Sequence, residues 1–325
     1  MTRPVCLVTG ATGAIGPGVV NALAETFDIR TLSRHPPNLT LFRVPVTPFI
    51  GDVCDVGSVR QAAAGAQVIV HLAALLHIVD PRSTARPEYE RVNIGGTTAV
   101  IDAAQTERVS RVVVMSTIAV YGGHGRTLLN EDSATNPDTF YGETKLAAER
   151  VALNARAADG VPLAAVLRSA AVYGPRVKGN YFRLVQALAR RRFVPIGPGD
   201  NLRTLVFEDD VASAIAVAAT HRAAAGRIYN VSDGTTHRLS EIIAAICTAL
   251  GRRAPRWHAP VGPARAALRV ASVVDRRLPR MLDKYLEEIA VDGSRIQREL
   301  GFRPSTILSD GWSATVDEMR RSGAL

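Results

Sequence analysis

Residues 9–16 read TGATGAIG, with Gly10, Gly13 and Gly16 set between the β-branched run Val5–Thr9 and a stretch of helical apolar spacing over 19–27. A strand that turns tightly, brings its backbone against a pyrophosphate and opens a helix needs glycine where a Cβ would collide. Thr12, Ala14 and Ile15 complete that loop. Pro17 is tolerated because the first helical turn leaves its N–H unpaired in any case. Outward from this loop, strand-like runs over 29–32, 68–73 (VIVHLA), 112–115 and 163–167 alternate with helix-like stretches over 92–104 and 141–158. Apolar strands alternating with helices of that length predict an α/β fold, a Rossmann doubly wound parallel sheet with helices on both faces. After about Tyr173 turn residues thicken, in GPRVKGN and PIGPGDN. The expected division is a dinucleotide-binding domain over 1–173, with segments near 204–226 returning to it, and a smaller, mainly substrate-binding C-terminal lobe over 174–325.

The 325 residues, 47% hydrophobic and 21% charged, can bury a sizeable core and do not read as disordered or disulfide-stapled. Cys6, Cys54 and Cys247 share no metal-ligand spacing, so reduced thiols and no metal site are expected. No apolar run reaches the roughly 18 residues of a membrane span. The start MTRPVCLVTG runs directly into a strand, and the expectation is a cytoplasmic protein without a signal peptide. Lys and Arg total 39 against 30 Asp and Glu, a net charge of +9. Taken alone, that balance raises nucleic acid or a membrane surface as a partner.

Tyr141 and Lys145, in YGETK, fall at i and i+4 and so share one helix face. A tyrosine hydroxyl ionises near pH 10, too high for a proton shuttle. A neighbouring ammonium and an oxidised nicotinamide would both lower it towards neutrality. Upstream, STIAVYG places Ser116 and Thr117 after a buried strand, where a hydroxyl could hold a substrate oxygen against Tyr141. The end of the second strand reads TLSR, so Ser33 and Arg34 stand where NAD-binding loops carry an acid. A cation there suits the 2′-phosphate of NADP, although Arg34 could equally be a solvated surface arginine. Asp52 and Val53 would lie near the adenine edge. His71 reads as a hydrogen-bonded core residue rather than a metal ligand.

These features, together with HLAAL, RVNIGGT, LRSAAVYGPR, FEDDVASAI, YNVSDG and LGFRP, resemble the extended short-chain dehydrogenase/reductases of the NAD-dependent epimerase/dehydratase family, and the matches span nearly the whole chain. The resemblance implies hydride transfer at a nicotinamide, with Tyr141 as acid/base, Lys145 as its partner and Thr117, where serine is usual, as the hydroxyl. It adds Leu72, Ala73, Ala74, Asn93 and Ser116 to the cofactor-binding set. NADP(H) is the favoured cofactor, with NAD(H) the alternative. A homodimer pairing through helices over 92–106 and 141–156 is also implied.

Within the family, GPRVKGNYFRLVQAL and NLRTLVFEDDVASAI resemble nucleotide-sugar 4-epimerases and 4-keto-sugar reductases of polysaccharide pathways. The resemblance puts Asn180 on the nucleotide and Arg203 on the diphosphate. A fixed guanidinium fork suits a diphosphate; the other role open to Arg203 is a salt bridge to Glu208, Asp209 or Asp210. Arg176 and Lys178 would add positive charge, and His124 would line the substrate pocket or sit in a plain loop. Ala171 stands where the family often has asparagine. Two alternatives stay open: a hydroxysteroid- or flavonoid-type oxidoreductase, favoured by Ala171 and the apolar run over 75–79, and a non-catalytic cofactor-binding sensor or structural subunit. The charge excess is local. Residues 252–284 hold nine cations and two acids, +7 of the total +9. That segment could contact an anionic membrane surface, or form a solvated rim. Only Trp257 interleaves with its arginines, so no nucleic-acid partner is expected.

Overall fold

The computed structural model describes residues 3–76, 85–123, 125–271, 282–283 and 285–325. β1 (Val5–Thr9) is apolar on both faces, and it sits inside a seven-stranded sheet. Its partners are β2 (Asp28–Ser33), β3 (Val46–Ile50), β4 (Val68–His71), β5 (Arg111–Thr117), β7 (Ala164–Ser169) and β10 (Ile228–Val231), in the order β10-β7-β5-β4-β1-β2-β3. Every pairing in this sheet is parallel. β3 and β10 were not among the strands read from the sequence.

Strand alternation distributes the side chains to two cores. On one face Cys6, Val8, Val70, Val113 and Leu167 pack with Val19, Val20 and Leu23 of α1 (Gly16–Leu23) and Val211, Ile215 and Ala218 of α7 (Glu208–Thr220). On the other, Leu7, Ile69, Val112, Val114 and Val166 pack with α2 (Val56–Ala63), α4 (Gly96–Thr106) and α5 (Phe140–Asn154). A short α3 (Arg86–Tyr89) runs through a π-helical turn, Glu90–Gly95, into α4. Each fully buried Val or Ile here contributes roughly 1.5–3 kcal/mol.

A second sheet, β8 (Ala171–Tyr173), β9 (Leu202–Phe207) and β11 (Thr236–Arg238), is packed by α6 (Asn180–Ala189), α8 (Leu239–Ala249) and the C-terminal helix α11 (Leu308–Arg321). Trp312 stacks on Tyr173 with ring centroids 4.4 Å apart, sealing this core. The chain returns to the central sheet through α7, which lies against α1, and through β10, beyond the expected 204–226 segment. β9, the strand before α7, pairs instead within the small sheet. β6 (Leu128–Leu129) and β12 (Ala290–Val291) form a short parallel pair. α9 (Val261–Ala271) and α10 (Ser294–Leu300) complete the helices used below.

Candidate active site

The β1–α1 loop turns at Gly10, whose φ of +73° is left-handed and which no Cβ could occupy: one would lie 2.6 Å from the Ala73 backbone nitrogen. At Gly16 a Cβ would meet the Ala11 carbonyl oxygen at 2.2 Å, so the helix can start this close to the strand only with glycine. Ile15 caps α1 with no side-chain hydrogen bond, and Thr12 and Gly13 are exposed beside it. Thr12, Gly13, Ala14 and Ile15 thus surround backbone donors that no side chain caps. The close Gly10–Ala73 approach brings Leu72, Ala73 and Ala74, just past β4, beside the same loop. This is the crevice at the switch point between β1 and β4, and its donors fit a dinucleotide pyrophosphate.

Around this crevice the predicted residues separate into two groups. Ser33 and exposed Arg34 end β2, with no acid at that point. Asp52 accepts from the Cys54 N–H at 2.9 Å and pairs with Arg91 at 3.4 Å, while Val53 is buried against Gly96. Asn93 is a clamp. Its carbonyl accepts from the Leu75 N–H at 2.8 Å, and its amide donates to the Leu75 carbonyl and, at 3.0 Å, to the Thr144 hydroxyl. It ties the loop after β4 to α5 rather than presenting an unused amide. Ser116 is likewise turned inward, its hydroxyl donating to Glu149.

Thr117 ends β5, and Tyr141 and Lys145 stand one turn apart on α5. Thr139 caps that helix by accepting from the Gly142 N–H at 3.1 Å, which fixes where Tyr141 enters. The Tyr141 hydroxyl shares a hydrogen bond with Thr117. Sequence reasoning expected a lowered tyrosine pKa. In the structure the phenol is pushed up to about 12, because desolvation outweighs the Thr117 hydrogen bond. The physical reason extends to its neighbour: Lys145 is also buried, and desolvation brings its ammonium down to about 8 against the pull of Glu149. Tyr141 therefore rests as a neutral proton donor. Lowering it towards neutrality needs added positive charge, such as an oxidised nicotinamide would bring.

Two residues absent from the sequence-derived site complete it. Glu149, one turn beyond Lys145, forms a buried bidentate pair with Arg168 of β7, with contacts of 2.7 and 3.0 Å. Arg168 lies 4.9 Å from the Tyr121 ring centre, and Tyr121 donates to Asn230 at 2.8 Å. The i, i+4, i+8 spacing of Tyr141, Lys145 and Glu149 was a readable signal; the Arg168 partner was not. His71 is a core residue as expected, bonded to Thr9 at 2.8 Å and Thr97 at 3.1 Å. Burial and the Lys145 ammonium push its pKa down to about 3, so it stays neutral.

Of the substrate-contact residues, Asn180 is exposed at the start of α6. Arg203 on β9 pairs with Glu287 at 3.4 Å and donates to the Tyr285 carbonyl at 3.0 Å. The acids considered for it are engaged elsewhere: Glu208 and Asp209 hold Arg176, and Asp210 accepts from Ser305 and Thr306. Arg176 is thus neutralised rather than adding charge to the site. His124 and residues 77–79 lie outside the described residues. No group of three metal-ligating side chains occurs among the described residues, and no helix among them is long and apolar enough to cross a membrane.

A Rossmann sheet with a glycine loop at its switch point, a Thr–Tyr–Lys set and a smaller second sheet define an extended short-chain dehydrogenase/reductase, a class of NAD(P)-dependent enzymes. The model of the NAD dependent epimerase/dehydratase family matches residues 6–232, and the chain belongs to that family. It is 33% identical to a dTDP-glucose 4,6-dehydratase of Streptomyces griseus over 95% of this chain and 92% of that one. It is 29% identical to a UDP-glucose 4-epimerase of Vibrio cholerae over 95% and 94%. MoeE5, solved with UDP-glucose and NAD, superposes with a TM-score of 0.78 at 28% identity, covering 98% of this chain and 99% of that one.

Proposed function

We propose that this enzyme acts at C4 of a nucleotide-linked sugar, as a 4-keto-sugar reductase or a UDP-sugar 4-epimerase. The observation that carries the reading is the Thr117–Tyr141 hydrogen bond beside buried Lys145. A nicotinamide cofactor, held at the loop over 10–16, would supply the hydride chemistry at the carbinol carbon. The chain's own residues handle the proton: Thr117 holds the sugar oxygen, and Tyr141, resting protonated, donates to it as the carbonyl becomes an alcohol. Lys145 supplies positive charge beside the phenol, and the Glu149 carboxylate, itself held by Arg168, favours the charged form of the lysine.

Arg203 is the proposed diphosphate ligand and Asn180 a nucleotide contact. The uridine- and thymidine-linked sugars named for the relatives support that choice. Arg34 favours NADP(H), and the NAD seen in MoeE5 keeps NAD(H) as the alternative. A homodimer would pair through α4 and α5, which lie side by side with Val151 and Leu153 part-buried.

The test is turnover of UDP-sugars and 4-keto sugars by the purified chain, with the released cofactor identified by mass. An empty site that takes NADPH supports the reductase, and retained NAD the epimerase. Arg203→Ala should raise KM for a nucleotide sugar about 10- to 100-fold, the value of a charge-assisted hydrogen bond. Turnover of aryl or steroid ketones with no turnover of nucleotide sugars would sink the proposal.

A further inference from the structure

The charged segment that begins at Arg252 does not stand alone in three dimensions. α6 is followed by Arg190, Arg191 and Arg192, and the Arg252 guanidinium donates to the Leu188 carbonyl at 3.0 Å. That contact brings the C-terminal ends of α6 and α8 together around a cavity of about 470 Å³. Its lining combines Leu188, Phe193, Cys247 and Pro255 with the cations Arg191, Arg252 and Arg253. Beside it the isolated Ile196–Ala259 bridge joins the two stretches that carry Val194 and Trp257, large apolar side chains exposed at 53% and 67%.

Helix C-termini attract cations, which accounts for Arg252. It does not account for Arg253 and Arg256, which lie past the end of α8. No ion pair joins Arg191, Arg252, Arg253 or Arg256 to a carboxylate among the described residues, whereas Arg265 on α9 is paired with Asp283 at 3.0 Å. None of these residues belongs to the catalytic set or to the proposed nucleotide contacts.

We propose that this face docks the enzyme on an anionic phospholipid bilayer. The guanidinium groups of Arg191, Arg252 and Arg253 take lipid phosphates at the cavity, and Trp257 with Val194 enters the headgroup–acyl boundary. Arginine forks match phosphate oxygens, and an indole with one wet edge partitions to that boundary. A nucleic-acid strand would need a run of exposed rings for base stacking; here a single indole projects beside a cavity. The proposal is independent of which sugar is turned over.

The full-length chain is to be mixed with phosphatidylcholine vesicles and with vesicles of equal parts phosphatidylcholine and phosphatidylglycerol, and cosedimentation read together with tryptophan emission. Trp312 is fully buried, so a blue shift on binding reports Trp257. Binding only to the anionic vesicles, weakened by salt, is expected. Arg252→Glu with Arg253→Glu should lower the partition at least about tenfold while kcat for a soluble substrate is unchanged. Should that double variant misfold by circular dichroism, Arg256→Glu and Trp257→Ala, which touch no helix end, carry the same test. Equal binding to neutral vesicles, absence of binding, or binding indifferent to charge reversal would overturn the proposal. So would full competition by inorganic phosphate or a duplex oligonucleotide.

Discussion

Two arginine environments divide the molecule. Arg168 is buried beneath the active site, held by both Glu149 oxygens and the Tyr121 ring. Arg253 and Arg256 stand exposed at the end of α8 with no carboxylate partner among the described residues. In the low-dielectric interior an unpaired charge is costly, so Arg168 is fixed by its partners. At the surface, water screens the charge and leaves it available to whatever anion arrives. The same side chain is scaffold in one place and ligand-seeking in the other, and desolvation makes the difference.

Breaking the buried side should have the largest effects. Tyr141→Phe removes the proton donor, and kcat is expected to fall about 10³-fold while cofactor still binds, read by steady-state kinetics and cofactor titration. Glu149→Gln leaves Arg168 buried without its counter-charge. A stability loss of about 3–5 kcal/mol is expected, measurable by urea denaturation. The same variant sharpens the electrostatics. Lys145 is charged below its pKa of about 8, so activity should decline as pH rises through that value. Glu149 raises that pKa, so its removal should move the alkaline limb of the kcat/KM profile to lower pH. An unmoved limb would mean that Lys145 does not feel Glu149.

On the exposed side the effects shrink. Arg34→Ala should lower kcat/KM for NADPH relative to NADH by about tenfold, the value of one charge-assisted contact, checked with the two cofactors side by side. Arg253→Gln should change stability by no more than about 0.5 kcal/mol in thermal melts. A large loss there would place Arg253 in a packing role and erase the contrast with Arg168.

The site was half readable before folding. Tyr141, Lys145 and Thr117 announce themselves by spacing and by following a buried strand, and Glu149 continues the same helix face. The family resemblance placed Ser116 and Asn93 at the cofactor, and the sequence did not show what else they bind. In the structure Ser116 turns to Glu149, and Asn93 clamps Leu75 to Thr144. The upward push on the Tyr141 phenol in the absence of cofactor was not legible: spacing shows a nearby ammonium, while desolvation depends on everything packed around it.

By itself the sequence determined the strand–loop–helix start and the alternation that makes a parallel sheet, because glycine sterics and apolar periodicity act within a few residues. It also set the order of the candidate catalytic residues. Tertiary structure alone decided that Arg203 faces Glu287 rather than Glu208, Asp209 or Asp210, and that Arg168 pairs with Glu149. It also joined the arginines following α6 to those following α8. Those pairings link residues 19 to 84 positions apart, and only the packing of sheets and helices brings such distant charges into reach.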